Sequence, residues 1–187
     1  EERDDPRVAD PALKEGALLT NVFNRLARSV LYEAKNNFEG KVPLDDPSAE
    51  VVALVHRTLR SYDQLMQKAE LHSVMSIMDE FIRAANKHWA DGIKAAENNG
   101  DESLRRQVLS DSAYLLWAAT MLMHPIVPAG CEEICSYLNF QPETFFSWDH
   151  DFLTLAELAE QGEDDHPVRE LPPRTDFFKK HPSQFKK

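Results

Sequence analysis

A stripe of polar side chains near the start of the chain is the strongest candidate for chemistry in this sequence. Asn21, Arg25, Arg28 and Tyr32 lie at positions i, i+4, i+7 and i+11, which fall on one face of a helix. An amide both donates and accepts hydrogen bonds, and a guanidinium group presents planar donors that suit nucleobases and phosphates. The stripe therefore predicts a nucleic-acid contact, while a merely solvated helix face has the same pattern.

The opposite face of the same segment predicts how this stripe is held in place. Five apolar side chains repeat there at helical spacing: Leu19, Val22, Phe23, Leu26 and Val30. Such spacing is typical of a helix that packs one side against a core. This first helix is expected from about residue 10 to about residue 36, because Asp10-Pro11 favours a helix start and a Gly and a Pro follow its end.

Four further helices are predicted by the same kind of pattern. They are expected over about 46–68, 71–97, 101–123 and 129–138. Gly, Pro, Asn or Asp marks the other boundaries, but residues 68–70 contain none of these, so the sequence does not define that boundary. No stretch alternates as a half-buried strand would. The predicted fold class is therefore all-α, an antiparallel bundle of about five helices over residues 10–140. Residues 1–9 are predicted to be a disordered segment or a linker.

Residues 141–187 predict an extended C-terminal tail. They hold five of the eleven prolines and six of the ten phenylalanines, the latter without any periodicity. A short helix is expected near 153–161. The irregular phenylalanines predict a tail that packs over another surface, either the bundle itself or a catalytic domain.

Trp89 is the residue best suited to stack on a nucleobase. It also continues the apolar stripe of the third predicted helix, which contains Leu71, Met75, Met78 and Ile82. A tryptophan at that spacing is typical of core packing, while its place at the end of the stripe is compatible with an exposed stacking role. Both interpretations remain open from the sequence.

Nothing in the sequence predicts a catalytic residue, a metal site or a bound cofactor. A glycine-rich phosphate loop, an HExxH motif and a GxSxG motif are all absent. The seven histidines lack metal-ligand spacing, and Cys131 and Cys135 are expected to be reduced packing residues. An autonomous enzyme is therefore the least favoured class of function.

The charge balance disfavours a general nucleic-acid binder. The net charge is −11, although residues 25–41 and 174–187 each carry more basic than acidic side chains. No apolar run is long enough to span a membrane, and residues 1–10 do not have the pattern of a signal or transit peptide. We therefore expect a cytoplasmic protein without DNA or membrane partners. Because the sequence does not begin with Met, we expect it to be a fragment.

Four segments together resemble the helical anticodon-binding domain of methionyl-tRNA synthetases. Leu19–Arg25 (LTNVFNR) resembles the LGN-x-x-NR stretch that opens that domain, and Phe38–Pro43 (FEGKVP) resembles the turn after it. Leu122–Leu138 resembles the HP-x-x-P segment near its end, which leucyl, isoleucyl and valyl enzymes share. Phe146–Asp149 (FSWD) falls where the family often has a Trp-Asp.

The resemblance implies a tRNA-binding domain of an ATP-dependent methionine–tRNA ligase, with no cofactor and no catalytic site in this chain. An Asn and an Arg of the family's first helix contact the anticodon, and they correspond here to Asn21 and Arg25. Arg28 and Trp89 are the further anticodon-binding candidates. The implied partners are tRNA, specifically tRNA(Met), and the catalytic domain of the same synthetase, where ATP binds.

Two alternatives stay open at this point. The chain can be the equivalent domain of a leucyl, isoleucyl or valyl enzyme, because these share the HP-x-x-P segment. It can also be a helical protein-interaction module that uses its basic, phenylalanine-containing tail, residues 174–187, as the docking element.

Overall fold

The computed structural model describes residues 16–147 and 165–179. The first helix starts as a π-helical segment, Leu18–Phe23, and continues without a break as α1, Asn24–Asn37. The elements that follow are β1 Lys41–Pro43, α2 Ala49–Gln67, α3 Leu71–Asn99, α4 Glu102–Met123, α5 Pro128–Tyr137, α6 Pro142–Phe145 and β2 Asp165–Pro167. The all-α fold class is confirmed, and the end of the first helix and the bounds of α2 to α5 lie close to where the sequence predicts them. The predicted start of the first helix near residue 10 and the disordered segment or linker predicted over 1–9 lie outside the described residues. The short helix expected near 153–161 lies outside the described residues.

Local chemistry accounts for most of the helix boundaries. Asp101 caps α4 by accepting a hydrogen bond from the Leu104 amide at 2.9 Å, and Gly100 ends α3 in the left-handed region with φ of 60°. Pro128 occupies the first turn of α5. The break between α2 and α3 lacks such a signal, because there Ala69, at φ of 56°, makes the turn. A non-glycine residue rarely adopts that conformation, so the sequence predicts this boundary poorly.

Helix α4 is the centre of the bundle. Every residue from Val108 to Met123 is buried, which is the pattern of a helix surrounded on all sides. Trp117 is fully buried at the middle of this stretch, and its indole N–H donates to the Phe145 carbonyl oxygen at 3.3 Å. The first helix, α2 and α3 pack around α4, so each presents only one face to the outside.

Two three-residue strands depart from the purely helical prediction. β1 and β2 pair antiparallel, with Lys41 opposite Pro167 and Pro43 opposite Asp165. Strands this short cannot show an alternating pattern, which is why the sequence does not reveal them. Their pairing brings the C-terminal part of the chain back to the end of the first helix.

A buried carboxylate joins three helices. Asp111 of α4 is 2% exposed and accepts hydrogen bonds from the Ser48 amide at 2.7 Å, the Ser48 hydroxyl at 2.9 Å and Gln107 at 3.0 Å. The His88 ring of α3 lies 3.0 Å away through Nε2. Because Ser48 is the residue before α2, this one side chain connects the start of α2 to α3 and α4. A buried charge is tolerated only when it is bonded in this way.

Replacement of this carboxylate should destabilise the bundle. We expect Asp111→Asn to lower the free energy of unfolding by about 2–4 kcal/mol, because donors that face a carboxylate would then face an amide. Urea unfolding followed by circular dichroism measures the loss. Asp91→Asn is the matched control on the surface of α3, where Asp91 pairs with Lys87 one turn away, and it should leave the midpoint unchanged. Equal midpoints for both variants would contradict the role assigned to Asp111.

The same network predicts how stability depends on pH. The hydrogen bond to Asp111 raises the pKa of His88 above its ordinary 6.5, against the effect of burial and with help from Glu50 and Asp91. Burial acts to raise the pKa of Asp111, but hydrogen bonds from His88, Ser48 and Gln107 outweigh it and lower that pKa below 3.8. The stabilisation from His88 is complete below pH 6.5 and is lost as the pH rises through its folded pKa. The stabilisation from Asp111 is complete above pH 3.8 and is lost as the pH falls through the pKa of Asp111 in the folded state.

The pair should therefore contribute most between about pH 4 and 6.5. Thermal unfolding of the wild type and of His88→Gln, followed from pH 4 to 9, tests this. The variant should lose less stability than the wild type between pH 6 and 9, because it lacks the His88 imidazole, whose pKa is raised in the folded state. Parallel curves for the two proteins over that range would contradict the assignment.

Candidate nucleic-acid interface

The N-terminal half of the first helix forms a ridge between two grooves. Asn21 and Arg25 are exposed, and both line each groove. The α3 groove, of about 500 Å³, lies between the first helix and α3, and its lining also contains Arg83, Asn86 and Lys87. The tail groove, of about 870 Å³, lies between the first helix and residues 174–179.

Asn86 holds the wall of the α3 groove. Its amide nitrogen donates to the Val22 carbonyl oxygen at 2.9 Å and to the Ile82 carbonyl oxygen at 3.1 Å. The amide oxygen of Asn86 is buried and has no hydrogen-bond donor among the described residues. The bond to Val22 fixes α3 against the π-helical segment, a wide type of turn that is frequent at functional sites.

Two cations complete the α3 groove. Arg83 pairs with Asp79 at 2.9 Å and Lys87 with Asp91 at 2.6 Å, each one helical turn away on α3. All four side chains are more than a third exposed, so water and salt screen these pairs. An anionic ligand can therefore compete for Arg83 and Lys87 at little energetic cost.

The first helix also binds the C-terminal segment, residues 168–179. The Lys35 ammonium donates to the Leu171 carbonyl oxygen at 2.8 Å, and the Tyr32 hydroxyl donates to the Pro172 carbonyl oxygen. Nearer the start of the helix, Arg28 forms an ion pair with Asp176 at 2.6 Å. The segment thus follows the first helix in the opposite direction, from the helix end back toward its beginning.

Asn24 makes the most complete contact with this segment. It is 1% exposed, and its amide oxygen accepts from the backbone N–H of Phe177 at 2.9 Å and of Phe178 at 3.1 Å. Its amide nitrogen donates to the Phe178 carbonyl oxygen at 2.9 Å and to the Thr20 carbonyl oxygen at 3.1 Å. The backbone groups of an extended chain have no partners within that chain and are usually bonded by a neighbouring strand. Here the Asn24 amide bonds them instead.

Aromatic packing reinforces the contact. The Phe178 ring stacks on Phe23 with centroids 4.8 Å apart, and the Phe177 ring meets Tyr137 of α5 edge-on at 5.7 Å. Phe178 also lies directly against Gly130, where an added Cβ would overlap its ring. Both phenylalanines are buried, which contributes about 1.5–3 kcal/mol each.

The four predicted contact residues occupy different surroundings. Asn21 and Arg25 are exposed, as the stripe predicts. Arg28 lines the tail groove but pairs with Asp176 instead of facing solvent freely. Trp89 is half-buried and packs against the core, and it lines neither groove. Whether these side chains contact an anticodon stays a prediction.

Sequence reasoning missed Asn24 and misjudged the surroundings of Arg28. The available signal was the spacing, because Asn24 and Arg28 repeat the Asn-to-Arg separation of four residues found at Asn21 and Arg25. A second signal was that Asn24 precedes Ala27 and Leu31 on the buried side of the helix. A polar residue on a buried face requires a partner, but its partner lies about 150 residues further along the chain.

The described residues contain no arrangement suited to catalysis or metal binding. No group of three or more His, Cys, Asp or Glu side chains there could hold a metal ion. Ser48, His88 and Asp111 are the types of a hydrolytic triad, but the Ser48 hydroxyl donates to Asp111 and not to the histidine. Cys131 and Cys135 are buried, and burial raises the thiol pKa of both, that of Cys135 to about 12, so neither is a thiolate at neutral pH.

No helix within the described ranges is long and apolar enough to cross a bilayer.

The fold and these grooves define a helical bundle with a polar, partly basic ridge between two clefts. No protein-family model and no curated protein sequence matches the chain. Solved structures do match. The apo form of Mycobacterium tuberculosis methionyl-tRNA synthetase is similar with a TM-score of 0.66 and 21% identity over 88% of this chain. The same enzyme bound by methionyl-adenylate is similar with a TM-score of 0.65 and 19% identity over 85%.

This chain spans about a third of the length of those enzymes, since the matches cover 32% and 31% of them. The resemblance to methionyl-tRNA synthetases is thus confirmed for the fold, which corresponds to one part of the larger protein.

Removal of the Asn24 side chain should release the C-terminal segment. We expect Asn24→Ala to lower the free energy of unfolding by about 1–3 kcal/mol, because two buried N–H groups lose their acceptor. Hydrogen exchange of the Phe177 and Phe178 amides should accelerate by more than exchange in α4 does. Asn21→Ala is the control, since Asn21 is exposed three residues earlier on the same helix. Unchanged exchange at the two phenylalanines in Asn24→Ala would contradict the contact.

Proposed function

We propose that this chain is the tRNA anticodon-binding domain of a methionyl-tRNA synthetase and that it acts on tRNA(Met) in the cytoplasm. The observation that carries the proposal is the exposed pair Asn21 and Arg25, which lies on the ridge between two open grooves of a bundle with the synthetase fold. Single-stranded anticodon bases can be splayed apart and bound by such side chains.

The chemistry of the ridge suits base recognition. The Asn21 amide can donate to and accept from one base edge, while the planar Arg25 guanidinium can pair with a base or stack on it. Asn21 has no hydrogen-bond partner within the described parts of the chain, and neither does Arg25, so ligand binding breaks no bond between them and those parts. Arg83 and Lys87 on the facing wall would contact phosphates, which position the RNA without reading its sequence.

The activation of methionine would belong to a different part of the parent enzyme. In this proposal ATP binds there, and the catalytic domain of the same synthetase is the second partner of this chain. The net charge of −11 supports this division of labour, because an acidic domain alone should bind RNA weakly and depend on the larger protein for affinity.

A protein-interaction module is less well supported. That alternative requires residues 174–187 to be available for docking. Residues 174–179 instead pack on the first helix, and Thr175, Phe177 and Phe178 are buried there. The solved structures reported above are all of a methionyl enzyme, which likewise favours methionyl over the leucyl, isoleucyl and valyl alternatives.

The proposal predicts anticodon-dependent binding. The chain should bind a tRNA(Met) transcript more tightly than the same transcript with a swapped anticodon. Arg25→Ala should weaken binding of tRNA(Met) by roughly five- to hundredfold and reduce the difference between the two transcripts. Fluorescence anisotropy at low and moderate salt measures both effects.

Arg57→Ala is the matched control for this experiment, because Arg57 is an exposed arginine of α2 that lines neither groove. It should leave the preference between the transcripts unchanged. Equal affinity of the wild-type chain for the two transcripts would show that the domain does not read the anticodon.

A further inference from the structure

The tail groove is a concentration of positive charge on an acidic chain. Among the described residues, four cationic side chains line it, namely Arg25, Arg28, Arg174 and Lys179, and Asp176 is the one acidic side chain. The lining therefore carries a net charge of +3 on a protein whose total is −11. A field of opposite sign to the rest of the molecule marks a place where an anion is attracted.

Residues from the two ends of the sequence build this groove jointly. Asn24 holds the backbone of Phe177 and Phe178, so the neighbouring residues Asp176 and Lys179 have fixed positions beside the first helix. Arg25 and Lys179 are exposed and form no ion pair among the described residues. Both positive charges therefore line the same groove without a paired carboxylate among the described residues.

Asp176 occupies the centre of the cationic lining. One carboxylate oxygen lies 2.6 Å from Nη1 of Arg28, and the other lies 3.5 Å from Nε of Arg174. The Asp176 side chain is 39% exposed, so water reaches the pair and weakens it. A carboxylate between two arginines occupies the position that a phosphate would take, because both anions offer oxygens to the same donors.

We propose that the tail groove binds the phosphodiester backbone of the RNA whose bases meet Asn21 and Arg25, and that Asp176 competes with this backbone for Arg28. The inference rests on the proposed function for the identity of the ligand. It adds a second surface, supplied by the C-terminal segment, that contributes affinity and not sequence preference. Asn24 acts in it as a positioning residue.

The test uses the full chain and changes the charges of the groove in opposite directions. The double variant Arg174→Gln, Lys179→Gln should bind tRNA(Met) and the anticodon-swapped transcript more weakly by the same factor, roughly tenfold, and should reduce the salt slope of binding by about 1–2. Asp176→Asn should bind both transcripts roughly threefold more tightly, because the competitor is neutralised. Anisotropy titrations from 50 to 200 mM salt give both quantities.

Two controls make the result specific to the groove. Arg57→Gln, Lys68→Gln removes the same charge from two exposed positions, one in α2 and one directly after it, and should cost much less affinity. Inorganic phosphate added at constant ionic strength should not displace the RNA, since a single phosphate lacks the adjacent contacts. Thermal unfolding should show that all variants remain folded, as expected for exposed side chains.

The failure of each proposal has its own signature. Two results overturn the inference: Arg174→Gln, Lys179→Gln loses no more affinity than the Arg57→Gln, Lys68→Gln control, or Asp176→Asn gains no affinity. The preference for the tRNA(Met) anticodon can persist in either case. Displacement of the RNA by inorganic phosphate also overturns it, because the groove would then bind free phosphate. If the chain binds both transcripts equally but loses affinity when the tail groove is changed, the proposal of anticodon reading is overturned. The tail groove then remains a surface that binds the RNA backbone.

Discussion

The carboxamide of Asn24 is the constraint on which the arrangement of both ends of the described chain depends. An extended segment without a neighbouring strand must find partners for its buried N–H and carbonyl groups, or it cannot pack. A helix has no backbone groups to spare along its length, so only its side chains can provide them. Asn24 does this with one amide group that accepts twice from the segment and donates once to it. Further along the helix, the side chains of Lys35 and Tyr32 likewise donate hydrogen bonds to backbone carbonyl oxygens of the segment.

The helices could be predicted from the sequence because their signals are local. Asp101, Gly100 and Pro128 end or begin helices through contacts within four residues of themselves. The exposure of Asn21 and Arg25 also followed from periodicity alone. The burial of Asn24 and the pairing of Arg28 did not, because their partners lie near residue 177. The same holds for β1, whose partner strand begins at residue 165.

A single total charge describes this surface poorly. The acidic excess of the chain would exclude a nucleic-acid ligand if charge were spread evenly, yet the ridge and its two grooves carry cations in excess. Those cations differ in their availability. Arg25 is exposed, the exposed Arg83 and Lys87 have screened partners, and the less exposed Arg28 is paired with Asp176. The cations of this surface therefore differ in how far nearby carboxylates already occupy them. The amino-acid composition cannot show that difference.

The contacts between the first helix and the C-terminal segment also impose an order on folding. They join residues separated by 136 to 154 positions, so the loop that they close contains nearly the whole bundle. Loop closure over such a distance costs conformational entropy, which the packed helices have to offset beforehand. On a ribosome, which supplies the N-terminal residues first, the first helix emerges long before residues 168–179. During that interval Asn24 has no partner from the tail and Arg28 has no counter-ion from Asp176, and the cationic groove is incomplete because Arg174 and Lys179 have not yet reached it.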